Sequence, residues 1–271
     1  MNPHAVRIAG HFGELLQGRL GADGPVALVT LPCPELAVTG TFRPGPGFGV
    51  HGRGQRLITP DRARRFLQAL GLVPRGRFLL RAAMPVGGGA GASTAALVAL
   101  ARLAGSDAAP EVVARACIAA EGASDPTMFA RPERLLWASR QGRVLDRTPA
   151  LPRFEVVGGF HGPMRRTDPA DQAFADIGDL WPRWRRAVDA GDLAALAGLS
   201  GEAARRTLAR RGPAEDPTGW LARRLGALGH AIAHTGAARA LLFAPGTVPE
   251  DWAACLRAAG LRGLIRFRAG G

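Results

Sequence analysis

The chain has 271 residues, 47% of them apolar, and a formal net charge of +13. That length fits one large domain or two small ones, and the apolar share is enough for a real core. No apolar run reaches the ~18–20 residues of a membrane span, Met1-Asn2-Pro3-His4 lacks the regions of a signal peptide, and Cys33, Cys117 and Cys255 form no CxxC pair, so free thiols in a reducing cytoplasm are expected.

The patterning predicts strands over His4–Ala9, Pro25–Leu31 and Glu35–Phe42, with Gly10–Gly18 a connecting loop. Phe42–Gly54 reads as turns around a short strand. A helix over Asp61–Leu70 follows Pro60, with Ala63, Phe66, Leu67 and Leu70 on one face. Arg77–Ala83 reads as a strand, Ser93–Leu103 as a helix, and Pro110–Ala120 as a second helix with Val112, Val113, Ala116 and Ala120 inward. The loop Glu121–Met128 leads to a hairpin, Leu135–Ser139 and Arg143–Asp146, turning at Gln141-Gly142. A linker at Thr148–Pro152 precedes the strand Phe154–Val157 and divides the chain into 1–148 and 149–271. Beyond it, helices are predicted over Pro169–Ala190, Asp192–Arg211, Trp220–Leu228 and Pro249–Ala259, and strands at Ala231–Ala233, Ala240–Phe243 and Leu264–Phe267. That order suits an α+β second half with an antiparallel sheet.

The positive charge invites a nucleic-acid reading, which the residues do not support. All 35 basic residues are Arg, Lys and Tyr are absent, and Asn occurs once. Lys, Tyr and Asn share A/T-rich codons, so a GC-rich genome accounts for the bias. The arginines are dispersed, and the tryptophans do not interleave with a basic stripe as a stacking platform requires. No nucleic-acid or membrane partner is expected.

The chemistry is placed at Pro85-Val86-Gly87-Gly88-Gly89-Ala90-Gly91-Ala92-Ser93-Thr94, between a strand and an apolar helix. Its glycines permit close approach to a ligand, Ser93 or Thr94 is expected to cap the helix, and the first helical turn suits phosphate. A P-loop needs lysine, which the chain lacks. Gly87, Gly89 and Ala92 fit a dinucleotide fingerprint, a weak pattern by itself. His230 and His234 stand four apart, with no Glu after His230 and no nearby cysteine to complete a zinc pattern.

Four segments together resemble the GHMP small-molecule kinases, in the family's order. Pro85, Gly89, Gly91, Ser93 and Ala95 match P-x-x-x-G-L-x-S-S-A. Gly13, Glu14, Leu15, Gln17 and Gly18 match P-x-S/T-C-G-E-L-I/V-Q-G of the branch holding the L-threonine kinases of cobalamin biosynthesis, with Ala9, His11 and Phe12 departing. Ser124, Asp125, Met128 and Phe129 match E-P-S/T-D-x-x-M-F, and Ala233-His234-Thr235-Gly236 resembles A-H-S/T-G. The resemblance implies a two-domain α+β fold, the first half like ribosomal protein S5 and the second ferredoxin-like, with the active site between them. It implies ATP along Gly87–Gly91, Mg²⁺ near Ser93 and Glu121, and Asp125 accepting or orienting the proton of an alcohol. Glu14 and Gln17 would hold the acceptor, with Glu14 pairing an ammonium, and Thr235 and Gly236 would lie near the phosphates and acceptor. Arg239 is a candidate for the charge that lysine would supply. The implied reaction is phosphorylation of L-threonine to O-phospho-L-threonine. Homoserine or an isoprenoid alcohol as acceptor, and a nucleotide-binding protein without turnover, stay open, as does a homodimer.

Overall fold

The computed structural model describes residues 4–166, 168–213 and 215–271. Two long strands, β1 (Ala5–Arg19) and β2 (Val26–Arg43), pair antiparallel around a turn in which the Leu20 N–H donates to the Pro25 carbonyl at 3.1 Å. The segment Gly10–Gly18, expected as a loop, lies inside β1. Its glycines mimic a turn signal, but what they mark is irregular pairing: the register shifts between Ala9 and Gly10, His11 and Glu14, and Glu14 and Leu16. Such bulges re-aim side chains within a strand.

The first half continues with β3 (Phe48–His51), α1 (Pro60–Ala69), β4 (Gly76–Ala82), α2 (Ala92–Leu103), α3 (Pro110–Glu121) and the hairpin β5 (Leu135–Ala138) and β6 (Arg143–Arg147). Thr59 caps α1, its hydroxyl oxygen accepting from the Arg62 N–H at 3.3 Å. On α3 the inward residues are Val113, Ala114, Ala116 and Cys117, whereas Val112 is exposed and Ala120 only half-buried. The second half contributes β7 (Phe154–Phe160), α4 (Leu180–Asp189), α5 (Leu193–Arg211), α6 (Thr218–Arg224), β8 (Gly229–Ile232), β9 (Ala238–Phe243), α7 (Trp252–Ala258) and β10 (Arg262–Ala269). The helix expected from Pro169 begins only at Leu180. The stretch before it is pinned in irregular form, with Arg19 bridged to Asp176 and the Ile177 N–H donating to the Arg19 carbonyl at 2.8 Å.

The strands form one ten-stranded sheet with the path β10-β7-β9-β8-β1-β2-β4-β3, and the β5–β6 hairpin pairs onto β2. The strands from either side of residue 148 meet in this sheet through one ladder pair, Glu14 opposite Ile232. α2 packs across β1, β2 and β4 with almost every residue buried, and α5 packs on β8 and β1. A smaller core of Val157, Leu221, Leu225, Leu241, Phe243 and Leu256 lies under α6 and α7. Phe12 knits the halves together, its fully buried ring meeting Phe160 and Phe267 edge-on, with centroids 5.4 and 6.1 Å away. No described helix is long and apolar enough to cross a membrane. Among the described residues, no strand after α2 pairs with β4, so the strand–loop–helix unit is not the paired βαβ unit of the dinucleotide fingerprint.

Candidate active site

β4 delivers the chain to Pro85, and three glycines with positive φ, Gly87, Gly89 and Gly91, carry it into α2. Gly91 is itself the N-cap, in the left-handed region at φ +71°, and no side chain caps the helix. Ser93 and Thr94 are thus not caps. The amides of the first turn are left facing the cleft, where backbone donors and the helix dipole favour an anion. A side chain at Gly91 would be excluded twice, by φ and by the His11 ring 2.5 Å from where its Cβ would stand.

Ser93 and Thr94 each reach a carboxylate. The Ser93 hydroxyl donates to Glu121 at the end of α3, and Arg62 of α1 pairs with the same carboxylate at 3.0 Å. Burial pushes the Glu121 carboxyl up, and Ser93 and Arg62 offset part of that rise. A hydroxyl and a carboxylate side by side at a phosphate loop are the oxygen donors that Mg²⁺ takes, so these two residues fit that ion. The Thr94 hydroxyl donates to Asp125 Oδ2 at 3.5 Å and accepts from the Asp125 N–H at 3.3 Å. The Asp125 loop is tied down by the Trp137 indole, which donates to the Ser124 carbonyl at 2.7 Å, and by the Ser124 N–H, which donates to the Ser139 carbonyl at 2.9 Å.

Beside Asp125 stand two residues of the bulged part of β1. His11 Nε2 lies 3.3 Å from Asp125 Oδ2, and His11 Nδ1 lies 3.6 Å from Glu14 Oε1. These are close charge contacts without hydrogen-bond alignment. Burial by itself would lower the His11 pKa, but Asp125, Glu14 and the Gly13 backbone outweigh it and push it up to about 9. Burial raises Glu14 to about 7, against the pull of His11. Asp125 is held below the usual carboxylate range, because His11 and Thr94 overcome the cost of its burial. The three could offer ligand atoms to a metal, all within 4.8 Å of one another. Yet the two carboxylates lie at opposite nitrogens of the ring, so the arrangement is an imidazolium bridging two carboxylates rather than a chelate.

A cleft of about 230 Å³ joins these groups. It is lined by Glu14, Gln17, Pro85, Val86, Gly87, Gly89, Ala90, Gly91, Ala92, Ser93, Thr94, Glu121, Asp125 and Thr235, all of which the sequence singled out. Two further candidates, Gly88 and Gly236, lie behind it and face each other. The Ala237 and Ala238 N–H groups both donate to the Gly88 carbonyl, at 3.0 and 2.9 Å, so the β8–β9 turn clasps the glycine loop. Arg239 does not reach the cleft. Its guanidinium is buried, paired with Asp216 at 2.7 Å and donating to the Gly236 and Ala238 carbonyls. It holds that turn in shape.

Sequence reasoning missed several lining residues. His11 was read only as a departure from a motif. Arg165 and Arg166 were read only among the dispersed arginines, yet both line the cleft, where the Arg165 N–H donates to the Gly87 carbonyl at 2.9 Å. Arg62 and Arg140 also line it, so the missing lysine is matched by four arginines. Phe174 stacks on His234 with ring centroids 4.1 Å apart, and the Arg140 guanidinium lies 5.1 Å from the Phe174 ring centroid. His234 is pushed down to about 3, first by burial and then by Arg211, and its neutral Nε2 accepts from that arginine. Only their charge and flanking glycines marked these residues, and nothing local tied them to the loop.

No family model and no curated protein matches the sequence. Among solved structures, the chain is similar to mevalonate kinase from methicillin-resistant Staphylococcus aureus MRSA252, at 15% identity and a TM-score of 0.65 over 99% of this chain and 100% of that one. It is similar to homoserine kinase from Cytophaga hutchinsonii, at 15% identity and 0.64 over 99% and 95%. It is also similar to mevalonate kinase from Methanococcus jannaschii, at 11% identity and 0.65 over 97% and 96%. Across its whole length, the chain has the mixed α+β fold of the GHMP small-molecule kinases.

Proposed function

We propose that this protein is an ATP-dependent kinase that phosphorylates the hydroxyl of a small molecule, with L-threonine the leading acceptor. The observation that carries the reading is the pairing of consecutive residues at one helix start. Ser93 turns to Glu121 and Thr94 to Asp125, and the glycine loop and four arginines line the same cleft. A phosphate cradle, a cation-fitting oxygen pair and a cleft-facing carboxylate thus share one cleft. The fold shared with mevalonate and homoserine kinases supports it.

In this reading the phosphates of ATP lie along Gly87–Gly91 against the first turn of α2, with Arg165 and Arg166 meeting their charge. Ser93 and Glu121 would hold Mg²⁺, which supplies charge neutralisation to the phosphates when bound. Asp125, the member of its cluster with a cleft-exposed side chain, takes or orients the hydroxyl proton. Glu14 has an unpartnered buried oxygen, as has Gln17, and both atoms suit an acceptor carrying an ammonium group. That favours an amino acid over an isoprenoid alcohol. Homoserine remains the nearest rival, and O-phospho-L-threonine for the cobalamin side-chain linker is the pathway role that threonine would imply.

The test is ADP release with Mg-ATP against L-threonine, L-serine, L-homoserine and mevalonate, with products identified by mass. Selective O-phosphothreonine establishes reaction and substrate. ATP binding with no product from any acceptor overturns the kinase reading in favour of a nucleotide-binding protein.

A further inference from the structure

His11 is only 2% exposed, yet it forms part of the cleft wall directly behind Asp125. Each ring nitrogen faces a different carboxylate, at 3.3 and 3.6 Å, with the Gly13 backbone beside the ring. The groups around the ring are few. β1 contributes Glu14 and the α3–β5 loop contributes Asp125. The glycine loop presents backbone alone, with the Ala90 carbonyl accepting from the His11 backbone amide at 3.2 Å. α2 presents the uncharged Thr94, and the imidazole of His234 on the β8–β9 turn points to Arg211 and Asp171. Two carboxylates and no second cation face the ring. A neutral imidazole would leave the buried Glu14 and the cleft-facing Asp125 uncompensated, a cost that a cation between them removes.

We propose that His11 is a positioning residue of the transfer step, its imidazolium fixing the Asp125 carboxylate toward the acceptor hydroxyl. This rests on the kinase reading above. The hydroxyl O–H bond breaks and its proton passes to Asp125. The freed oxygen pair forms the new bond to the γ-phosphorus, and the bond from that phosphorus to the β,γ-bridging oxygen breaks, its electron pair leaving with ADP. Asp125 then returns the proton to solvent. His11 keeps both N–H protons throughout and touches no reacting atom. Its place behind a carboxylate gives that carboxylate a single orientation, on which transfer rates depend steeply.

The experiment compares the wild type with His11→Gln and His11→Lys, reading kcat and KM for ATP and acceptor from pH 6 to 10, with nucleotide affinity as the check on folding. His11→Gln is expected to lower kcat roughly 10- to 100-fold with nucleotide affinity unchanged, and His11→Lys to restore much of the loss by restoring the cation. Wild-type kcat should fall as pH rises through about 9, where the ring loses its proton, and His11→Gln should lack that limb. Nitrogen NMR of the wild type should show a doubly protonated His11 ring at pH 8, lost in Asp125→Asn, a readout that survives if His11→Gln does not fold. Active wild type with kcat of His11→Gln within twofold, an unchanged alkaline limb, or a neutral ring at pH 8 overturns the role of His11 alone. Wild type that phosphorylates no acceptor overturns the kinase reading and this role with it.

Discussion

Two carboxylates flank the first turn of α2, four residues apart in sequence, and they are driven in opposite directions. Glu121 is paired with an arginine and a serine hydroxyl, yet burial dominates and raises its pKa. Asp125 pays the same kind of burial cost, but a buried imidazolium and the Thr94 hydroxyl more than offset it, and it stays ionised. The difference lies in the partner. Arg62 spreads its charge from a partly exposed position, whereas the His11 ring is itself buried where it meets Asp125. A raised carboxyl is one whose anionic form waits for a cation, and a lowered one is already compensated. On the proposed reading the two sites would divide the work, Glu121 serving the metal ion and Asp125 the hydroxyl proton.

Substitutions can break this division, and the largest effect is expected at Asp125. Asp125→Asn should lower kcat by about 10²- to 10⁴-fold while nucleotide affinity stays within twofold. ADP release and equilibrium nucleotide binding check this, and equal turnover would remove Asp125 from the chemistry. Glu121→Gln should act through the cation instead, raising the Mg²⁺ needed for half-maximal rate by roughly 10- to 100-fold. A loss that no Mg²⁺ concentration recovers would mean the two carboxylates do one job.

The comparison is sharpened by pH. Glu14, raised to about 7, must be ionised to hold an ammonium, so KM for an amino-acid acceptor should climb severalfold as pH falls through 7. KM for mevalonate, which has no ammonium, should stay flat. Stability carries the smaller signal. His11 is raised above its unfolded value, so the stability linked to its proton is fully present below about pH 6.5 and is lost as pH rises through about 9. The melting temperature should decline across that window, and His11→Gln should flatten the decline.

Much of this was legible along the chain and some was not, for a physical reason. The glycine loop, its helix, α1 and the β5–β6 hairpin are specified by neighbouring residues, and periodicity and turn chemistry found them. The Gly10–Gly18 segment was misread because glycine at a bulge looks like glycine at a turn. The stretch from Pro169 was misread as helix because what straightens it, the bridge from Arg19 to Asp176, lies about 150 residues away in sequence. His11 has the same character. Its meaning depends on Asp125, 114 positions downstream, and a one-residue departure from a motif carries no sign of such a partner. Its neighbour Phe12 departs at the same place for another purpose, since alternation along β1 sends one side chain to the cleft and the next to the core.

The clasp at Gly88 has a consequence for how the protein comes into being. Gly236 sits so close that a methyl group there would stand 2.2 Å from the Gly89 nitrogen. The glycine loop thus takes its shape from a turn made almost 150 residues after it. A ribosome that has synthesised every residue of the loop has not yet made the cleft, because the strand pair that moulds it is still untranslated. On the proposed reading, ATP would meet a finished pocket only once β9 has docked, and a truncated chain would carry the whole motif without the wall that shapes it.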